Sequence, residues 1–84
     1  MQEENINIIR KFSKLARSWL DWNQEDLAKR VGLQKLAIVK FEKNQTKNPI
    51  TTAIAIRSVF EKEGIFFKEE EDKIVIIIDY DEKN

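Results

Sequence analysis

The 84-residue chain has no cysteine and no histidine. Without thiols there is no disulfide framework and no thiolate metal site. Without either residue, an enzyme would lack its usual general base and its usual thiol nucleophile. Carboxylates are the metal ligands that remain, and the acidic run Glu69-Glu70-Glu71-Asp72 lacks the ligand and glycine spacing of an EF-hand loop. The chain is therefore not expected to be an enzyme or to carry a cofactor, a metal or a catalytic residue. Long hydrophobic runs are also missing: nothing approaches the roughly 20 apolar residues of a membrane helix, so no membrane partner is expected. The start, Met1-Gln2-Glu3-Glu4-Asn5, is acidic and polar and does not read as a signal peptide, which favours a cytoplasmic location. Glycine and proline are scarce, and Gly32, Gly64 and Pro49 stand as punctuation between the periodic segments.

Net charge is also absent, with 15 basic residues balancing 15 acidic ones. The balance hides an asymmetry. Residues 1–64 carry 12 Lys/Arg against 8 Asp/Glu, and residues 65–84 carry 3 against 7. Between Gln34 and Asn48 the bases are Lys35, Lys40, Lys43 and Lys47, opposed only by Glu42. A polyanion responds to the local field, so a basic patch followed by an acidic tail remains compatible with nucleic acid.

The first segment reads as an amphipathic helix. Ile8, Phe12, Leu15, Trp19 and Trp22 recur at steps of four and three, and Ile9, Ala16 and Leu20 widen the stripe. Both tryptophans are expected in the core. Asn23 caps a second helix whose first turn is acidic (Glu25, Asp26) and whose inward face is Leu27, Ala28 and Val31. Gly32 ends it, where the chain is expected to enter a left-handed conformation and a Cβ is expected to clash. A third helix is expected over about Lys35–Lys43, anchored by Leu33, Ala37, Ile38 and Phe41 and terminated by Asn44. Projected at about 100° per residue, Leu36, Val39, Lys40 and Lys43 lie opposite that anchor, giving a mixed apolar and cationic face. Such a face suits the major groove, where lysine meets guanine edges or phosphates and aliphatic groups meet thymine methyls. A fourth helix runs from about Ile50 to Glu63 with Ala53, Ile56 and Phe60 inward, and Gly64 closes it. Beyond it, Ile65-Phe66-Phe67 and the run Lys73–Tyr80 are β-branched and aromatic and flank an acidic turn, Lys68–Asp72, which reads as a hairpin.

The residues Gln24, Leu27, Ala28, Gly32, Leu33, Ile38, Phe41, Glu42 and Asn44, continued by Thr46, Lys47 and Pro49, resemble the Cro/C1-type (XRE-like) helix-turn-helix regulators over about residues 6–64. The resemblance implies a mainly α, compact four-helix lambda-repressor-like DNA-binding domain over residues 1–64, to which the residue pattern adds residues 65–84 as a C-terminal β-hairpin or dimerisation strand. It implies sequence-specific binding of double-stranded DNA by a transcriptional repressor, with Lys35, Leu36, Val39 and Lys40 facing base edges. Gln24 would touch a phosphate and buttress the reading helix, and Lys43, Thr46, Lys47 and Asn48 would grip the backbone. Arg17 and Glu42 resemble a buried ion pair joining the first helix to the third. Gln34 departs from the family's Ser or Thr cap, and Asn44 replaces its usual glycine.

The five aliphatics Ile74, Val75, Ile76, Ile77 and Ile78 point to both faces of a strand, and four helices can cover only one. An uncovered apolar strand is an aggregation hazard. A homodimer through residues 73–80, reading an inverted repeat, would remove it. A hairpin packed on the first helix is the alternative. The same segment could instead add to the sheet of a partner protein, as a toxin-neutralising antitoxin would.

Overall fold

The computed structural model describes residues 3–80, with side chains from Ile6 onward; Asp81 and Glu82 of the expected acidic tail lie outside the described residues. Four helices, α1 (Glu3–Trp19), α2 (Gln24–Val31), α3 (Lys35–Glu42) and α4 (Pro49–Lys62), precede an antiparallel hairpin of β1 (Ile65–Glu70) and β2 (Lys73–Ile78). The protein is mainly α. None of the described helices is long and apolar enough to cross a membrane.

Local chemistry sets most of the boundaries. Asn23 and Asp26 cap α2 reciprocally: the Asp26 N–H donates to Asn23 Oδ1 at 2.7 Å, and the Asn23 N–H donates to Asp26 Oδ2 at 2.9 Å. At the other end Gly32 adopts φ 77°, and the Leu33 N–H donates to the Ala28 carbonyl at 2.9 Å. An added Cβ would meet nothing within 4 Å at Gly32, so the left-handed backbone, and not the expected clash, demands glycine. Gln34 starts α3 without a side-chain cap bond. Lys43 falls just outside the helix, and Asn44 terminates the segment at φ 60°. Pro49 occupies the first turn of α4, where its missing N–H costs nothing.

The core gathers Ile9 and Ala16 of α1, Leu27 and Ala28 of α2, Ile38 and Phe41 of α3, and Ala53, Ile56 and Phe60 of α4. Ile65 and Phe67 of β1 close it from below. Each large side chain buried this way contributes roughly 1.5–3 kcal/mol. Trp22 stacks on Phe60 with ring centroids 6.2 Å apart, and the Arg30 guanidinium lies 4.1 Å over the Trp22 ring.

Two expectations about packing are corrected. Leu15 and Trp19 do not face the core; they are 55% and 51% exposed. The buried residues of α1 are Ile6, Ile8, Ile9, Ser13, Ala16 and Arg17, so Ile8, Ile9 and Ala16 face inward as expected. Towards the C-terminal half the buried face swings about one residue, or 100°, from Leu15 and Trp19 onto Ser13 and Arg17. Helix α1 takes that orientation because Ser13 and Arg17 meet a buried carboxylate. Leu33 is likewise exposed, not an anchor of α3, and Ala37 is only half-buried.

The hairpin forms within the chain, but its turn is shorter than expected. Lys68, Glu69 and Glu70 belong to β1, and Glu71-Asp72 makes the turn with Glu71 at φ 51°. The register runs from Ile65 opposite Ile78 to Glu70 opposite Lys73. Charged residues persist in β1 because only Ile65 and Phe67 of that strand turn into the core. Strand β1 packs on α1 and α4, while β2 packs chiefly on β1. At Gly64, with φ 85°, an added Cβ would lie 2.9 Å from the Asp79 carbonyl oxygen, so here the close approach of the returning strand also requires glycine.

Candidate nucleic-acid interface

Helix α3 is fixed from beneath by Ile38 and Phe41, both essentially fully buried. Helical geometry then sends Leu36 and Lys40 outward, and Lys43 follows at the end of the helix. Leu36 is 58% exposed, Lys35, Lys40 and Lys43 are exposed, and Val39 is half-buried.

The C-terminal end of α3 is held by side chains. Glu42 accepts from Arg17 Nε at 2.9 Å and Arg17 Nη2 at 2.9 Å, from Ser13 Oγ at 2.6 Å, and from Gln24 Nε2 at 3.0 Å. Arg17 Nη1 also donates to the Trp22 carbonyl at 3.3 Å. One carboxylate thus ties α3 to α1 and to the start of α2. Burial pushes the Glu42 carboxyl up, but the hydrogen bonds from Arg17, Ser13 and Gln24 and the Arg17 charge outweigh it. Its pKa lies below the ordinary carboxylate value.

That pairing decides the electrostatics of the surface. Glu42 is the one acid near α3 in sequence, and Arg17 cancels it. Among the described residues, Lys14, Lys35, Lys40, Lys43 and Lys47 form no ion pair, so their charge is unopposed.

Two depressions flank α3. An open groove of about 620 Å³ is lined by Leu33, Gln34, Leu36, Ala37, Lys40, Gln45, Thr46, Lys47 and Thr52. A second, of about 480 Å³, is lined by Lys14, Arg17, Asn23, Gln24, Glu42 and Lys43. The candidate residues therefore divide. Leu36, Lys40, Thr46 and Lys47 meet in the first groove, and Gln24 and Lys43 meet in the second. Lys35, Val39 and Asn48 line neither; Lys35 and Asn48 are exposed at the starts of α3 and α4.

Several residues of these surfaces were not singled out from the sequence. Lys14 is one of them: the Arg17–Glu42 link brings it beside Lys43. The i, i+3 spacing of Lys14 and Arg17 is the signal that could have placed it. Gln45 and Thr52 reach the first groove through the packing of α3 against the loop and α4, which leaves no local trace, and Leu33, expected as an anchor of α3, lines that groove instead. No protein-family model, no curated protein and no solved structure matches this chain.

Proposed function

We propose that the protein is a sequence-specific double-stranded DNA-binding regulator, a transcriptional repressor, with α2 and α3 as a helix-turn-helix of lambda-repressor-like form. Helix α3 enters the major groove, with Lys35, Leu36, Val39 and Lys40 toward base edges. Lys43, Thr46, Lys47 and Asn48 hold phosphates on either side, joined by Gln24 from the start of α2. The observation that carries this reading is Leu36, 58% exposed on a short helix among unpaired lysines. Isolated in water, that leucine gains nothing. Against a thymine methyl it does, and the lysines beside it match a polyanion. The lysine positions favour guanine or phosphate contacts over adenine reading.

Selection from a random duplex library, followed by titration of the selected duplex from about 50 to about 200 mM salt, tests the proposal. A defined site should emerge, and its affinity should fall roughly tenfold to a thousandfold over that range. Leu36→Ala should weaken the selected site about tenfold or more while leaving the melting temperature unchanged, because the side chain is exposed. No enrichment, together with weak binding that ignores salt, would end the DNA reading.

A further inference from the structure

Among the described residues the sheet has only two strands, so β2 has one edge on β1 and the other open. Which groups face the opening follows from one bond. The Asp79 N–H donates to the Gly64 carbonyl at 2.7 Å, one step beyond the pair Ile65–Ile78. In an antiparallel ladder hydrogen-bonded pairs recur at every second residue. Lys73, Val75, Ile77 and Asp79 therefore turn their backbone groups toward β1. Ile74, Ile76 and Ile78 turn theirs to the open edge.

That edge carries none of the usual protections. It has no proline, no bulge and no charge in its middle, and its only charged residues are Lys73 at one end and Asp79 at the other. Its two flanking side chains are also exposed, Ile74 at 47% and Ile78 at 37%, while Ile76 between them is half-buried against the core. Beside them Trp19 meets Tyr80 edge-on at 6.4 Å, and Leu15 lies one turn back on the same face of α1.

We infer that this edge pairs with the same edge of a second copy of the chain, antiparallel and centred on Ile76. In that register Ile76 faces Ile76 of the second copy and Ile74 faces its Ile78, so every outward N–H and C=O of the three isoleucines finds a partner. Val75 falls opposite Ile77, and Lys73 falls opposite Asp79 at both ends. A shift of two residues in one direction sets Lys73 against Ile77; in the other it sets Asp79 against Val75. Either shift leaves a charge facing an aliphatic side chain and loses a hydrogen-bonded pair. The self-complementarity of charge, aliphatic run and backbone identifies the second copy as the occupant. A four-stranded sheet results, with Leu15, Trp19 and Tyr80 along its rim. The inference does not depend on DNA binding; with it, the site read would be an inverted repeat.

Sedimentation equilibrium of the full chain at micromolar concentration, with charge-swapped variants, tests the register. The parent chain should be a dimer. Lys73→Glu or Asp79→Lys alone sets two like-charged pairs across the interface and should raise the dimer Kd about tenfold. The double variant should restore it. Restoration cannot come from within one chain, because residues 73 and 79 lie about 20 Å apart along the strand. Circular dichroism of each variant checks that the hairpin and helices persist. A parent chain that stays monomeric overturns the inference, whether or not another protein binds the edge. A dimer that the double variant fails to restore overturns the register.

Discussion

Arg17→Ala removes the cation from a carboxylate that stays buried. The Arg17 and Glu42 side chains are only 10% and 11% exposed, so water reaching them from the adjoining depression replaces the guanidinium only in part. Ser13 and Gln24 still donate to Glu42, but neither brings charge. Breaking a buried pair from one side typically costs about 3–5 kcal/mol. A domain of this length has a total stability of about 4–13 kcal/mol, so the loss is a large share of the whole. The melting temperature should fall by at least ~12 °C, at about 4 °C or more per kcal/mol for a chain of this size. Thermal unfolding followed by circular dichroism measures it. Replacing both partners by apolar residues, Arg17→Met with Glu42→Leu, should recover more than half of the loss, because no uncompensated charge remains. A single Arg17→Ala variant melting within about 3 °C of the parent would refute the reasoning. So would one that stays fully folded yet loses DNA, since Arg17 would then act on the ligand directly.

Acid should unfold the protein through the same group. The Glu42 pKa is lower in the folded state than its ordinary value of 4.5, so its stabilising contribution is present above about pH 4.5 and is lost as the pH falls through the folded pKa. Urea unfolding at a series of pH values should show that loss, and Glu42→Gln should flatten it in this range. The two glycines should respond differently to alanine. Gly32→Ala meets only the conformational penalty of a left-handed residue, about 1–2 kcal/mol. Gly64→Ala adds a collision with the Asp79 carbonyl, so it should destabilise more and release amide protection along β2, read by hydrogen exchange.

Helix ends were legible because their signals are local. Asn23, Gly32, Asn44, Pro49 and Gly64 each act through their own backbone or through a neighbour three or four residues away. The inward faces of α2 and α4 followed from periodicity for the same reason. Helix α1 defeated that reading because its buried face contains a serine and an arginine. Hydropathy ranks Leu15 and Trp19 above Ser13 and Arg17, but the ranking reverses once Glu42 is placed opposite them from 25 and 29 residues away. The candidate interface shows the same division. Leu36, Lys40 and Lys43 came from the period of one helix. The wall supplied by Gln45 and Thr52, and the meeting of Lys14 with Lys43, depend on how the helices pack, and no spacing along the chain encodes that.

The short length of α3 explains why a buried polar network sits beneath a surface that would read DNA. Eight residues make a helix of about 12 Å, which is unstable alone in water. Its first turn has no side-chain cap and no acidic residue to meet the helix dipole, so nothing local strengthens that end. Orientation must come from elsewhere. Ile38 and Phe41 hold the helix down, but apolar contacts leave it free to slide and rotate within small limits. Glu42 removes that freedom: its two oxygens are bonded from α1 and α2 in directions that one rotation of α3 satisfies. An apolar residue at position 42 could match the stability without fixing the angle. The carboxylate fixes it, and because Arg17 cancels the charge, it does so without adding an unpaired negative charge beside the exposed lysines.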